Sequence, residues 1–359
     1  MKVLHILNEL KFSGAEVMLK VAKEKFEEKQ IQTFVLSTGD IVGEFSCELE
    51  SCIYNITNIP FKKSLRFSYK VFVFLRKNKF DVVHIHSERF FFFYIFISKL
   101  AQINNIIRTI HNTFKFNGWL KFRRRMMLKL GFMLGCKYIS ISKGVYDNEL
   151  KLNNIKTILI NNWIDTEYFK PKWNQKLETN LIKNQLNLIS VGACSHVKRH
   201  FYILELVKAL NNQGHKVNYF HLGTGELEDT EKKLATQLNI KDSVQFLGNQ
   251  KNILPFLHQS DFFIMPSEYE GLAISCLEAM AAGIIPIVSN VPGLVDLVTD
   301  ELNGLVVNFE EIELVALKLK TLQKDEMQKK YFRNNARKKV DELYGLNNID
   351  KQIALYFEK

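Results

Sequence analysis

Cysteine is scarce in this chain and follows no pattern. Cys47, Cys52, Cys136, Cys194 and Cys276 are odd in number and scattered through 359 residues. Neither a disulfide framework nor a metal-type spacing emerges, and reduced thiols in a cytoplasm are the simplest expectation. Long apolar runs are also missing. The opening stretch, residues 1–7, runs straight into Asn8 and Glu9, too short an apolar segment for a signal peptide. The greasiest segment, residues 90–97, falls far below the ~20 residues needed to span a bilayer, so it reads as a buried strand or helix. No Gly-x-Gly-x-x-Gly follows the first strand, which disfavours an NAD-dependent oxidoreductase. Short internal repeats are absent.

Acidic residues are absent from 89 to 146, a segment that carries eleven Lys and Arg residues. The formal charge of +11 is thus unevenly placed. Within the segment, residues 119–134 mix Arg123, Arg124, Arg125 and Lys129 with bulky apolar side chains at roughly helical spacing. Such a helix can lie on an anionic membrane, arginines at the headgroups and apolar face inserted. It can equally be an ordinary amphipathic helix whose arginines are solvated. Nucleic acid would feel the same charge, but no helix-turn-helix, RNA-recognition or zinc-finger pattern accompanies it, so nucleic acid is not expected as a partner.

What is present is a large apolar fraction, 47% of the residues, in a chain too long for one typical core. Two domains are expected. Strand and helix alternate, which implies parallel sheets. Strands are read at residues 2–7, 31–37, 80–86, 105–110 and 137–142, with a helix at 15–28. A polar, weakly patterned stretch at 169–185 reads as a linker. A second series follows, with strands at 186–191, 217–222, 244–247, 261–265 and 285–289. Helices are read at 202–212, 226–238 and 271–282, and another closes the chain at 348–359.

The most informative pair is Glu270 and Glu278. They follow the apolar run that ends at Met265, and the stretch from Gly271 reads as a helix. Gly271 and Glu278 are separated by about two turns, so they would share a helix face with Glu270 just ahead of the N-terminus. A helix N-terminus offers unpaired N–H groups and partial positive charge, which suits phosphate. Two carboxylates beside an anion seat would grip a hydroxyl-rich ligand that carries phosphate. The spacing alone also fits an ordinary strand–loop–helix unit with two solvated glutamates.

The surroundings add to it. Gly248 precedes the motif, while Pro286, Asn290, Gly293 and Asn303-Gly304 follow it in order. This series resembles the donor-binding half of the retaining family 4 (group 1) glycosyltransferases of GT-B fold, whose signature is Glu-x7-Glu within Ser-x-x-Glu-Gly…Leu-Glu-Ala-Met. The resemblance runs over nearly the whole chain and is strong from about residue 188 onward. It implies an α/β GT-B architecture, two Rossmann-like domains facing an interdomain cleft. Residues 1–168 would form the acceptor-side domain, 169–340 the nucleotide-sugar domain, and 341–359 a helix crossing back to the first.

The resemblance also implies roles. Glu278 would hydrogen-bond the ribose, Glu270 the sugar hydroxyls, and backbone N–H groups around Gly271, Leu272 and Ala273 the sugar and diphosphate. Lys198 would neutralise the diphosphate. The family's arginine five residues earlier is Ala193 here, which puts diphosphate binding in doubt unless Arg199 or another cation substitutes. Gly14 and the turn Gly223-Thr-Gly225 match nucleotide-side loops, although relatives have a second glycine where this chain has Ser13. His111, at a strand end, matches a histidine that contacts the donor sugar or its phosphate. His84 and His86 lie within a strand, and at least one of them is expected to be a hydrogen-bonded core residue. No Asp-x-Asp or His/Cys cluster lies near the motif, so neither a metal nor a cofactor is expected. The nucleotide-sugar is a substrate, UDP-sugar favoured and GDP-sugar allowed.

The expected activity is transfer of a sugar to a saccharide or polyprenyl-diphosphate-linked saccharide, as in capsule, exopolysaccharide or O-antigen synthesis. The protein would be cytoplasmic, with peripheral contact at the inner face of the cytoplasmic membrane. Two rivals stand beside this reading: a nucleotide-sugar epimerase of GT-B fold, and a non-catalytic membrane-surface adaptor.

Overall fold

The computed structural model describes residues 1–11, 13–52, 54–114, 116–171 and 185–358. The chain divides into two compact units, Met1–Ile164 together with Leu346–Lys359, and Asp165–Gly345. Most of the linker expected at 169–185 lies outside the described residues.

The first unit contains β1 (Lys2–Leu7), α1 (Gly14–Glu28), β2 (Gln32–Ser37), α2 (Ser46–Glu50), β3 (Asn55–Asn58), α3 (Leu65–Asn78) and β4 (Val82–Ile85). It continues with α4 (Phe91–Leu100), β5 (Asn105–Ile110), α5 (Gly118–Met133), β6 (Cys136–Ser140), α6 (Lys143–Asn153) and β7 (Ile158–Leu159). The strands form one sheet in the order β3-β2-β1-β4-β5-β6-β7, every pair parallel. Parallel strands are covered on both faces, which is why the central ones read as nearly continuous apolar runs. Val3, Leu4, Ile6, Val83, Ile85, Ile106 and Ile107 are all fully buried. The Phe-rich segment is a helix, α4, turned toward the sheet through Phe91, Tyr94 and Ile95.

The second unit contains β8 (Gln185–Val191), α7 (Phe201–Asn212), β9 (Lys216–Leu222), α8 (Glu228–Gln237), β10 (Val244–Phe246), α9 (Leu254–Leu257) and β11 (Phe262–Met265). After these come α10 (Ile274–Ala281), β12 (Ile285–Ser289), β13 (Leu305–Val307), α11 (Ile312–Lys324) and α12 (Glu326–Leu343). Its sheet is again parallel, β10-β9-β8-β11-β12-β13. Two Rossmann-like cores of one design are thus present, as the alternating pattern predicts. In each sheet the strand order reverses beside the first strand, between β1 and β4 and between β8 and β11. Open parallel sheets bind ligands outside the strand C-termini at such reversals.

The last helix, α13 (Asn347–Phe357), belongs to the first unit. It buries Ile349, Ile353, Leu355 and Tyr356. Tyr356 is hydrogen-bonded through its hydroxyl to Nδ1 of His84 at 2.8 Å, and the Nε2 of that ring meets Thr109 at 2.7 Å. His84 is therefore a satisfied core histidine. Among the described residues no helix is long and apolar enough to cross a membrane.

Candidate functional site

In the second unit the reversal lies between the loop after β8 and the loop after β11, and these loops are tied together. The Glu268 N–H donates to the Val197 carbonyl at 2.8 Å, and Arg199 pairs with Glu268 at 3.3 Å. Lys198 Nζ donates to Glu270 Oε1 at 2.6 Å, with both side chains mostly buried. The two charged residues singled out in the sequence thus meet directly. Each neutralises the other, and an anion placed beside Lys198 would have to compete with Glu270 for it.

Glycines make the loops fit. Gly223 has φ of +137°, and a Cβ there would come within 2.1 Å of the Gly192 carbonyl oxygen. Gly293 has φ of +85°, and a Cβ there would come within 2.5 Å of the Glu270 carbonyl oxygen. A side chain at either position would push apart the loops that carry Lys198 and Glu270. Gly225 continues the turn after Gly223, where the Leu227 N–H donates to the Cys194 carbonyl at 3.0 Å. By sequence Gly293 is only a member of the motif series; in the fold it supports the Glu270 loop.

Helix α10 starts later than expected. The sequence suggests a helix from Gly271, but Ala273 is the N-cap with extended backbone (φ −82°, ψ 94°), and the helix begins at Ile274. Gly271, Leu272 and Ala273 form the approach to the helix rather than its first turn, so Gly271 does not share a helix face with Glu278. Ser275, in the first turn, donates from its hydroxyl to the Val191 carbonyl at 3.0 Å and pins α10 to the end of β8. Ala273 has no side chain that could cap the first turn, so the helix N-terminus, three residues after Glu270, keeps its anion-favouring character. Glu278 lies in α10 itself, half-buried, and burial pushes its carboxyl up to about 8. Ala193 is exposed in the loop after β8, and Arg199 is already paired with Glu268.

In the first unit a cavity of about 450 Å³ lies at the β1/β4 reversal. Asn8, Ser13, His86, Glu88 and His111 are among its lining residues. Gly14 opens α1, next to Ser13, whose hydroxyl donates to Glu16. His111 Nε2 lies 3.0 Å from His86 Nδ1, and His86 Nε2 lies 3.1 Å from His5 Nδ1. This file of rings runs from the cavity into the core. Burial, with Arg108 close by, lowers His111 to about 4, so its imidazole is neutral near pH 7. His111 and Gly14 belong to the first unit; Lys198, Glu270, Gly271, Leu272, Ala273 and Glu278 belong to the second.

The basic helix α5 needs one correction. Arg123, Arg125 and Lys129 are exposed, but Arg124 is buried. Its guanidinium donates to Glu88 and to Glu149, each at 2.9 Å, and Glu88 also pairs with the buried Arg108. Arg124 holds the helix to its own core and cannot reach headgroups, because α5 turns Arg124, Leu128 and Gly131 inward. On the outer side Trp119, Phe122, Phe132 and Met133 are 57–79% exposed among the remaining cations.

The fold also assembles what linear spacing does not display. Cys194, His200, His221 and Glu231 each offer a ligand atom, and these atoms all lie within 4.8 Å of one another. His5, His84 and His86 do the same in the first unit.

Residues 12–168 match the family model of Glycosyltransferase Family 4, and residues 171–339 match that of Glycosyl transferases group 1. The chain is 27% identical over 318 residues to the UDP-Gal:alpha-D-GlcNAc-diphosphoundecaprenol alpha-1,3-galactosyltransferase of Escherichia coli, covering 85% of this chain and 81% of that one. It is 24% identical over 306 residues to the capsular polysaccharide biosynthesis glycosyltransferase CapH of Staphylococcus aureus, covering 81% of each. The fold superposes on the crystal structure of Anabaena Alr3699/HepE in complex with UDP-glucose with a TM-score of 0.81 at 18% identity, over 99% of this chain and 98% of that one.

Proposed function

This chain belongs to the family 4 (group 1) glycosyltransferases, and from that membership we propose that it moves a sugar, with retained anomeric configuration, from a UDP-sugar to a polyprenyl-diphosphate-linked saccharide. The observation that carries this reading is the Lys198–Glu270 pair at the head of α10, with Glu278 further along the same helix. Lys198 and the α10 N-terminus supply positive charge to the departing diphosphate, so the transfer step needs no divalent ion. Glu270 then turns to the sugar hydroxyls, Glu278 to the ribose, and the N–H groups from Gly271 to Ala273 to the sugar and diphosphate. The retaining chemistry is front-face displacement, in which the leaving phosphate takes the proton of the attacking hydroxyl. His111 is proposed to contact the sugar or its phosphate, as a neutral hydrogen-bonding group.

UDP is favoured because the Escherichia coli relative is named for UDP-Gal and the Anabaena structure holds UDP-glucose. A lipid-linked acceptor is favoured by the diphosphoundecaprenol in the same relative's name. The exposed face of α5 gives that acceptor a place to be met: Trp119, Phe122 and Met133 enter the headgroup layer while Arg123, Arg125 and Lys129 meet its negative charge. The protein would then act at the cytoplasmic face of the membrane, in capsule or related polysaccharide synthesis. The test is a transfer assay with UDP-sugars and a polyprenyl-diphosphate saccharide in anionic vesicles, without added magnesium or manganese. The expected product carries the donor's anomeric configuration; an inverted product, or an absolute magnesium requirement, overturns the mechanism.

A further inference from the structure

Helix α8 buries a carboxylate that its protein neighbours satisfy only in part. Glu231 is 5% exposed; its Oε1 lies 3.2 Å from His200 Nδ1, and its Oε2 has no hydrogen-bond partner among the described residues. An ionised carboxylate taken out of water is costly unless it is paired or coordinates a metal. Around it stand Cys194, fully buried in the loop after β8, His200 at the N-cap of α7, and His221 at the end of β9. The Cys194 Sγ is 3.1 Å from His221 Nε2. The other nitrogen of that ring, Nδ1, meets Ser190 Oγ at 3.0 Å, and Ser190 is held in turn by the Tyr219 hydroxyl at 2.6 Å. A hydrogen-bond partner on the far nitrogen of a metal-bound imidazole sets its tautomer and ring plane, and here the Ser190 hydroxyl takes that place.

We infer that Cys194, His200, His221 and Glu231 form a structural zinc site that staples the loop after β8 to α7, β9 and α8. The ligand set is one thiolate, two imidazoles and one carboxylate, all types that zinc takes in four-coordinate sites. Four ligand atoms within 4.8 Å of one another can close on one ion with small side-chain adjustments. On binding, the Cys194 thiol releases its proton to solvent and the sulfur becomes the ligand. Thiolate selects zinc over magnesium or calcium, which prefer oxygen. The second histidine group is the weaker candidate, since both nitrogens of His84 already have hydrogen-bonded partners. None of the four ligands is a residue given to the donor, and the site braces the 192–200 segment that presents Lys198.

The test is elemental analysis of the full chain purified under reducing conditions, followed by exchange of the metal for cobalt(II). The inference predicts about one zinc per chain, a thiolate-to-cobalt charge-transfer band of tetrahedral type, and a melting temperature that rises with added zinc. Cys194→Ser and His221→Gln should each lose at least roughly tenfold in retained zinc. Cys47→Ser, which changes an exposed thiol elsewhere, should retain it. Should both site variants fail to fold, the cobalt spectrum of the unaltered chain still decides. Folded wild-type protein with no zinc and no such band at excess cobalt overturns the inference, and the four groups are then a hydrogen-bonded core network. Zinc retained equally by Cys194→Ser overturns it as well.

Discussion

At the scale of single residues, a mostly buried ion pair and a raised carboxyl mark the loop and helix that follow β11. Lys198 leans on Glu270 at 2.6 Å, and the reading gives it the departing diphosphate. Lys198→Met should lower kcat by about 10²–10³, the scale seen when one donor to a developing anion is removed. Circular dichroism should change little, with some loss of melting temperature because Glu270 loses its partner, and a kcat close to wild type would remove Lys198 from the reaction. Glu278 makes a different prediction. Burial raises its carboxyl to about 8, so between its ordinary value of 4.5 and 8 the folded protein holds a proton that the unfolded chain has released. Its contribution to stability is fully present below about pH 4.5 and is lost as pH rises through 8. Glu278→Gln should flatten the fall in stability across that window, measured by urea unfolding at several pH values; an unchanged slope would show that Glu278 ionises as freely in the fold as in water. Both residues were legible in the sequence, because a cation after one strand and a carboxylate pair running from the next strand's loop into a helix are recognisable by type and spacing. Gly293 was less legible, since its value lies in the atoms its missing Cβ would meet, and those come from residues more than twenty positions away.

Elements show where linear reading succeeds and where it stops. Strands such as β1, β5 and β12 are found where alternation and apolar runs place them, since burial on both faces leaves a plain signal. α10 starts three residues later than the spacing predicts, because Ala273, a good helix former, takes extended backbone as the N-cap. Helix α5 is the sharper case. Its basic and apolar residues are evident in sequence, but which arginine turns inward depends on Glu88 and Glu149, which lie outside the helix. The two classes of arginine should therefore behave differently. Changing Arg123, Arg125 and Lys129 to glutamine should release the protein from anionic vesicles, each losing on the order of 1 kcal/mol of attraction. UDP binding and the melting temperature should be untouched. Arg124→Gln should instead strip the fully buried Glu149 of its cation, while Glu88 keeps Arg108, and destabilise the first unit by about 3–5 kcal/mol. Equal loss of vesicle binding and no loss of stability in Arg124→Gln would contradict the placement of α5.

For the whole molecule, two parallel sheets of like design each reverse their strand order beside their first strand, the position where open sheets bind ligands. The architecture could be read from alternating elements and from the ordered motifs after residue 188, whereas the gathering of Cys194, His200, His221 and Glu231 could not. Those residues come from the β8–α7 connection, β9 and α8, at spacings that carry no metal signature. The central claim is that the second unit holds a nucleoside diphosphate at the head of α10, with the ribose on Glu278. Calorimetric titration of the full chain with UDP, beside its Glu278→Ala variant, tests this most directly. The account predicts binding to the wild type that the variant weakens by about 1–3 kcal/mol, roughly 5- to 150-fold in Kd. Equal affinity of the two proteins for UDP, or no binding to the wild type, would contradict it.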